Sequence, residues 1–186
     1  MINKLSLLML FSVLYSVGQE KNAPLFSITP EVLFGITGES NTNFPDRSLQ
    51  KQVFLSFGWQ HTKHTDEWGA YLKNIKTGLS IGYTDLGNIS KFGSIFTLQP
   101  FLEFNAFKSK DITVHIGTGV SYVTEKYDPI SNEFNRAVST NINWSFRFFM
   151  YYNLMKSKQV NWRIGTGVNH NSNGHAKLPN QGITHF

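Results

Sequence analysis

The chain has no cysteine. That excludes a disulfide framework, a thiol nucleophile and any cysteine-ligated metal. Long hydrophobic runs are also missing: past the first residues, nothing approaches the roughly 18 consecutive apolar residues of a membrane-crossing helix. Charge is sparse, at 16% of 186 residues, and the net +5 comes from scattered lysines and arginines such as Lys51, Lys76, Lys108 and Lys156. No basic stripe with interleaved aromatics forms, which argues against a nucleic-acid partner. A modest positive charge does allow contact with anionic lipid headgroups. Heptads, helical apolar periods, low-complexity linkers and signs of a second domain are all absent from the body of the chain.

What the chain does have is aromatic residues and glycine: 16 Phe, 7 Tyr, 4 Trp and 15 Gly. The N-terminus carries a targeting signal. Lys4 provides a small positive region, and Leu5–Leu14 is an apolar segment too short to span a bilayer as a helix. Small residues Ser16 and Gly18 suit a cleavage site near Gly18. Residues 1–18 are therefore expected to be a signal peptide removed on export, leaving residues 19–186 as one domain.

Within that domain, alternation recurs in segment after segment. Side chains on a strand point to opposite faces with period two. Ile142, Trp144, Phe146, Phe148 and Met150 fall on one face, with Asn141, Asn143, Ser145 and Arg147 on the other. Ile112, Val114, Ile116, Val120 and Tyr122 oppose Thr113, His115, Gly117, Gly119 and Ser121. Phe96, Leu98, Leu102 and Phe104 oppose Thr97, Gln99 and Glu103, and Val53, Leu55, Phe57 and Trp59 oppose Phe54, Ser56, Gly58 and Gln60. Weaker stripes lie at Leu79–Tyr83, Thr29–Ile36 and Trp68–Leu72. Turn-like clusters at 41–47, 85–88, 108–111, 128–135 and 156–158 separate them. The count is about eight strands if Gly182–Phe186 is included.

A soluble sandwich or lipocalin-like barrel would point the striped face inward, whereas an outer-membrane barrel points it at lipid. The Gly, Asn and Ser of the opposite face suit a narrow polar lumen. Trp59, Trp144, Trp162, Tyr83 and Tyr122 suit interfacial girdles, and the signal peptide sends the chain out of the cytoplasm. The expected fold is all-β: an eight-stranded antiparallel outer-membrane β-barrel. Its last strand is apparently truncated, because Gly182–Phe186 supplies five residues where a barrel strand needs about 9–11. Unpaired backbone in hydrocarbon is expensive, so a short last strand points to a fragment of a longer product or a damaged barrel.

One stripe ends in chemistry. On the segment from Asn161, the even positions are Trp162, Ile164, Thr166, Val168, His170 and Ser172; the odd positions are polar or small. A potential base and a potential nucleophile thus share the apolar face, an odd place for them unless the substrate is a lipid. A serine hydroxyl needs a base to become a good nucleophile, and histidine serves near neutral pH. Acyl transfer also needs donors for an oxyanion and a group to orient the histidine. Asn173, Asn180 and the backbone N–H groups of the Gly174 and Gly182 turns are candidates for the first task. His170, His175 and His185 lie near one another in sequence, but differing parity and a glycine turn argue against a metal site. Gly165-Thr-Gly167 and Gly117-Thr-Gly119 lie inside strands with no following helix, so close packing explains them better than phosphate binding.

His170-Asn-Ser172-Asn173-Gly174, followed by Pro179-Asn180-Gln-Gly182-Ile183, resembles the signature of the PagL-type lipid A 3-O-deacylases and the wider acyloxyacyl-hydrolase-like group. Gly165-Thr-Gly167-Val-Asn-His170, Ile116-Gly117-Thr-Gly119-Val-Ser-Tyr122 and Gly82-Tyr83-Thr-Asp-Leu-Gly87-Asn88 are supporting matches. The resemblance implies an eight-stranded outer-membrane barrel with its active site on the lipid-facing wall. It implies Ser172 as nucleophile, His170 as general base, and Asn173, Asn180 and Gly174 around the oxyanion. The reaction it implies is hydrolysis of an ester-linked acyl chain of lipid A, needing no cofactor and no metal. The partners are then lipopolysaccharide and outer-membrane lipids, and a homodimer is compatible with this picture.

The sequence departs from the family pattern at Thr184, where the family carries a glutamate that orients the histidine. Another carboxylate could substitute, with Glu103, Asp128 and Glu133 as candidates. The alternatives are a non-catalytic outer-membrane barrel, structural or adhesive, in which the motif survives without function, a truncated inactive deacylase homologue, and a soluble exported lipid-binding barrel.

Overall fold

The computed structural model describes residues 25–61, 72–106, 111–156 and 160–186. The signal peptide expected over residues 1–18 lies outside these, as does the stripe at Trp68–Leu72 but for Leu72. Eight strands follow in order: β1 (Leu25–Gly35), β2 (Gln50–Gln60), β3 (Lys73–Asp85), β4 (Ser94–Asn105), β5 (Ile112–Val123), β6 (Ile142–Lys156), β7 (Asn161–Ser172) and β8 (Ile183–His185). A single helical turn, α1 (Ile89–Phe92), precedes β4 and is capped by the Asn88 side chain. Each strand pairs antiparallel with the next, giving one sheet in sequence order.

The sheet curls until its ends meet. His185 bridges to Thr37, just past β1, and the Ile36 and Phe186 backbones exchange hydrogen bonds of 3.1 and 3.0 Å. Among the described residues, the backbone closes the sheet at this end. Below Phe186, a cleft lined by Val32, Leu33 and Phe34 of β1 and by Gly165, Thr166 and Gly167 of β7 opens toward Gln52 and Phe149. Among the described residues, no β-pairing joins β1 to β7.

The stripes point as expected. Val53, Trp59, Phe96, Leu98, Val120, Tyr122, Ile142, Trp144 and Trp162 are exposed, while Ser56, Gln99, His115, Ser121, Asn143, Ser145, Arg147 and Asn169 are buried. This is an inside-out distribution relative to a soluble barrel, whose apolar face would be interior. Besides Ser, Thr, Asn and Gln side chains, the lumen holds a buried charge network. Arg147 lies between the Phe54 and Phe149 rings, 4.1 and 4.5 Å from their centroids. Its Nη2 contacts Glu31 Oε2 at 3.1 Å and donates to the Tyr151 hydroxyl at 2.9 Å. Arg163 contacts Glu31 at 3.0 Å and Glu103 at 2.8 Å, and Lys76 contacts Glu103 at 2.6 Å. Buried ions persist only when paired, and here two carboxylates are shared among three cations. The Arg163–Glu31 pair also ties β7 to β1 across the cleft that their backbones leave open.

An apolar cluster caps one end of the barrel. Phe44, Leu86, Phe92, Ile95, Val123, Ala137, Val138 and Ile183 pack together, with Phe44 stacked on Phe92 at 4.8 Å. These residues come from the segments 36–49, 86–93 and 124–141 and from the strand ends beside them. The cap gives the turn after β7 a firm platform.

Candidate active site

Strand β7 carries its outward apolar row up to His170 and Ser172 before the chain turns. Register places Phe146 of β6 opposite His170 and Trp144 opposite Ser172. On the other side, Thr184 of β8 is the partner of His170. The two polar residues are therefore flanked by exposed aromatics on one side and a hydroxyl on the other. Both are partly buried, while Asn169, Asn171 and Asn173 on the opposite parity are buried.

Thr184 Oγ1 lies 2.8 Å from His170 Nδ1. A neutral imidazole that donates from Nδ1 keeps its Nε2 lone pair free to act as a base. The Ser172 hydroxyl oxygen accepts from Asn180 Nδ2 at 2.9 Å and from the Gly174 N–H at 3.2 Å. Its own hydrogen is uncommitted among the described residues. His170 and Ser172 share no hydrogen bond among those residues either, but their positions two apart on one strand face keep them within reach through side-chain rotation. Catalytic hydrogen bonds are often long in unliganded sites and tighten with substrate.

The turn from 173 to 182 is built for this arrangement. Gly174 and Gly182 adopt φ of +63° and +76°, in the left-handed region that glycine enters without strain. A Cβ at Gly182 would stand 2.5 Å from His170 Cε1 and 2.9 Å from Nε2, so glycine lets the backbone lie against the ring. The Asn173 N–H donates to Asn180 Oδ1 at 3.0 Å, turning the Asn180 amide nitrogen toward Ser172. Neighbouring loops hold the turn. The Gly182 N–H donates to the Ala137 carbonyl at 2.8 Å, and Ser40 Oγ donates to the Gly182 carbonyl at 2.6 Å.

His170, Ser172, Gly174, Asn180 and Thr184 therefore come together. Asn173 joins them through its backbone; its side-chain nitrogen points elsewhere, to the Lys177 carbonyl at 2.8 Å and Ser139 Oγ at 3.3 Å. Glu103 does not replace the missing carboxylate, because it faces the lumen against Lys76, Arg163 and His115. Asp128 accepts from Ser131 and from the Ile130 N–H within its own loop, and Glu133 is exposed. His170 lies on the wall, His175 in the exposed turn, and His185 is buried on the lumen side, so the three do not converge.

The model of the family described as lipid A 3-O-deacylase (PagL) matches residues 31–186. The chain belongs to the PagL family. Curated proteins and solved structures give no match. Membership of this outer-membrane enzyme family, together with an eight-stranded sheet curled into a barrel, implies an ester hydrolase acting on lipid A. Two features of this PagL-family chain escaped the sequence analysis. One is the ionic lumen, whose charged residues do lie at polar parity but whose partners come from distant strands. The other is Ser139, which no local pattern marks.

Proposed function

We propose that the protein removes an ester-linked acyl chain from lipid A, using Ser172 and His170 on a barrel wall that faces the outer-membrane lipid. Ser172 Oγ attacks the ester carbonyl while His170 Nε2 takes its proton. Asn180 Nδ2 and the Gly174 N–H, which rest on the hydroxyl in the free protein, are placed to donate to the oxyanion beside it. Collapse of the tetrahedral intermediate expels the sugar hydroxyl, which recovers the proton from His170 and leaves an acyl-serine. Water, deprotonated by the same histidine, then releases the fatty acid and restores Ser172.

One observation carries this reading. A candidate nucleophile and a candidate base whose Nδ1 is engaged by Thr184 stand at the end of an exposed apolar strand row, and two donors from the turn that follows converge on the hydroxyl. A substrate whose acyl chains lie in the bilayer meets that face directly. Thr184 engages the ring at the position of the family's acid, but it lacks the charge that would stabilise imidazolium. A slow enzyme follows. The same substitution favours the second reading, a non-catalytic barrel.

The test is acyl release from purified lipid A in detergent micelles by the folded protein and by Ser172→Ala. Release by the parent alone supports the mechanism. Equal release by both would sink it, and release by neither would favour the non-catalytic barrel.

A further inference from the structure

We propose that Ser139, on the loop between β5 and β6, is a positioning residue for ester hydrolysis at Ser172. The inference rests on the reading above and extends it to a side chain that never touches the reacting atoms. Ser139 is buried, at 2% exposure. Its hydroxyl donates to the Lys177 carbonyl at 2.7 Å and accepts from Asn173 Nδ2 at 3.3 Å. The same Asn173 nitrogen donates to the Lys177 carbonyl at 2.8 Å. Both amide hydrogens of Asn173 are thus committed, one to each partner. Its Oδ1 is buried without a partner among the described residues.

Three consequences follow. First, the Asn173 amide is held in place rather than free to donate to an oxyanion, so the donor set is Asn180 Nδ2 and the Gly174 N–H. Second, the Asn173 side chain is held through its nitrogen alone among the described residues, and loss of the Ser139 hydroxyl would let the amide rotate to relieve its orphaned oxygen. Third, that rotation would disturb the backbone that orients Asn180, because the Asn173 N–H fixes Asn180 Oδ1 and thereby aims Asn180 Nδ2 at Ser172. The relay runs from Ser139 through Asn173 and Asn180 to the nucleophile. It crosses between two loops that are also joined by backbone, the Gln181 and Gly182 N–H groups donating to the Arg136 and Ala137 carbonyls at 3.2 and 2.8 Å. These backbone bonds keep the loops docked when the serine hydroxyl is removed, so the expected defect lies in aim rather than in folding.

The experiment compares parent, Ser139→Ala, Asn180→Ala and the double variant as folded barrels in detergent, with Ser172→Ala as control. Two rates are read: acyl release from purified lipid A, and covalent labelling of Ser172 by a fluorophosphonate. Ser139→Ala should lower kcat about tenfold, the scale of one lost hydrogen bond. Its KM should stay within about twofold, because no substrate contact is removed. In the Asn180→Ala background, Ser139→Ala should cost little more, because its effect passes through Asn180. A purely structural role would instead lower the melting temperature and add its full cost in the double variant. Parent-like kcat in Ser139→Ala, or full additivity with Asn180→Ala, overturns the proposal while the hydrolase reading stands. A parent no more active than Ser172→Ala overturns both.

Discussion

The two faces of β7 hold polar residues for opposite reasons. On the inner face, Arg163 is committed to Glu31 and Glu103 and stacks on Tyr151, 3.8 Å from the ring centroid. Asn169 donates to Gln52 at 3.2 Å. These groups pair with one another and fill space. On the outer face, the polar residues are few and sit at the end of a row of Trp162, Ile164 and Val168. Their partners leave a serine hydrogen and an imidazole lone pair to spare. A polar group tied into buried ion pairs stabilises the barrel. A serine hydrogen and an imidazole lone pair left over on a greasy wall are available for chemistry.

That contrast predicts that outer-face changes alter rate and inner-face changes alter stability. The largest effect belongs to Ser172→Ala, which should reduce acyl release by at least about 1000-fold. The heat-modifiable gel mobility of the folded barrel should not change, because the hydroxyl's two hydrogen bonds stay within the 173–182 turn, which backbone bonds to Arg136 and Ala137 hold in place without them. Across the sheet, Arg147→Ala should destabilise the barrel by about 3–5 kcal/mol in denaturant unfolding, because Glu31 loses one of its two buried cations. Activity per folded molecule should hold in that variant. A rate defect there would break the comparison, since it would couple the lumen to the site. Gly182→Ala should lower kcat about 100-fold by pushing His170 off its line, the scale of an ångström-size misplacement. A crystal structure of that variant with an unmoved ring would count against this account. The smallest effect is a gain: Thr184→Glu should raise kcat about tenfold, because a carboxylate stabilises the imidazolium that a hydroxyl merely orients. No gain in a pH-rate series would mean that the ring's orientation, and not its charge balance, sets the rate.

Parity made the wall legible in the sequence. A strand's period of two is local, so Trp162 to Ser172 could be sorted into faces without knowing any neighbour. That His170, Ser172, Asn180 and Thr184 lie together followed from the resemblance of their motif to the PagL-type signature, since spacing alone is a weak signal. The lumen was not, because its bonds are non-local: Arg163 and Glu31 stand 132 residues apart in sequence. Whether Glu103 faces His170 or Arg163 depends on how strands close into a cylinder, which no single segment encodes. Parity did place it on the polar face, and the structure then removes it as a stand-in for the family's carboxylate. Ser139 escaped for the same reason, since its partners lie 34 and 38 residues further along the chain. The last strand was read as short, and β8 spans three residues. Its hydrogen bonds to residues 36–38, which close the sheet at the site end, were not foreseen.

The most direct test of the central claim, that Ser172 on the outer wall cleaves an acyl ester of lipid A, is mass spectrometry of lipid A from cells expressing the parent or Ser172→Ala. The account predicts loss of one acyl mass with the parent and intact lipid A with the variant. Intact lipid A in both, with the parent folded in the outer membrane, would contradict it.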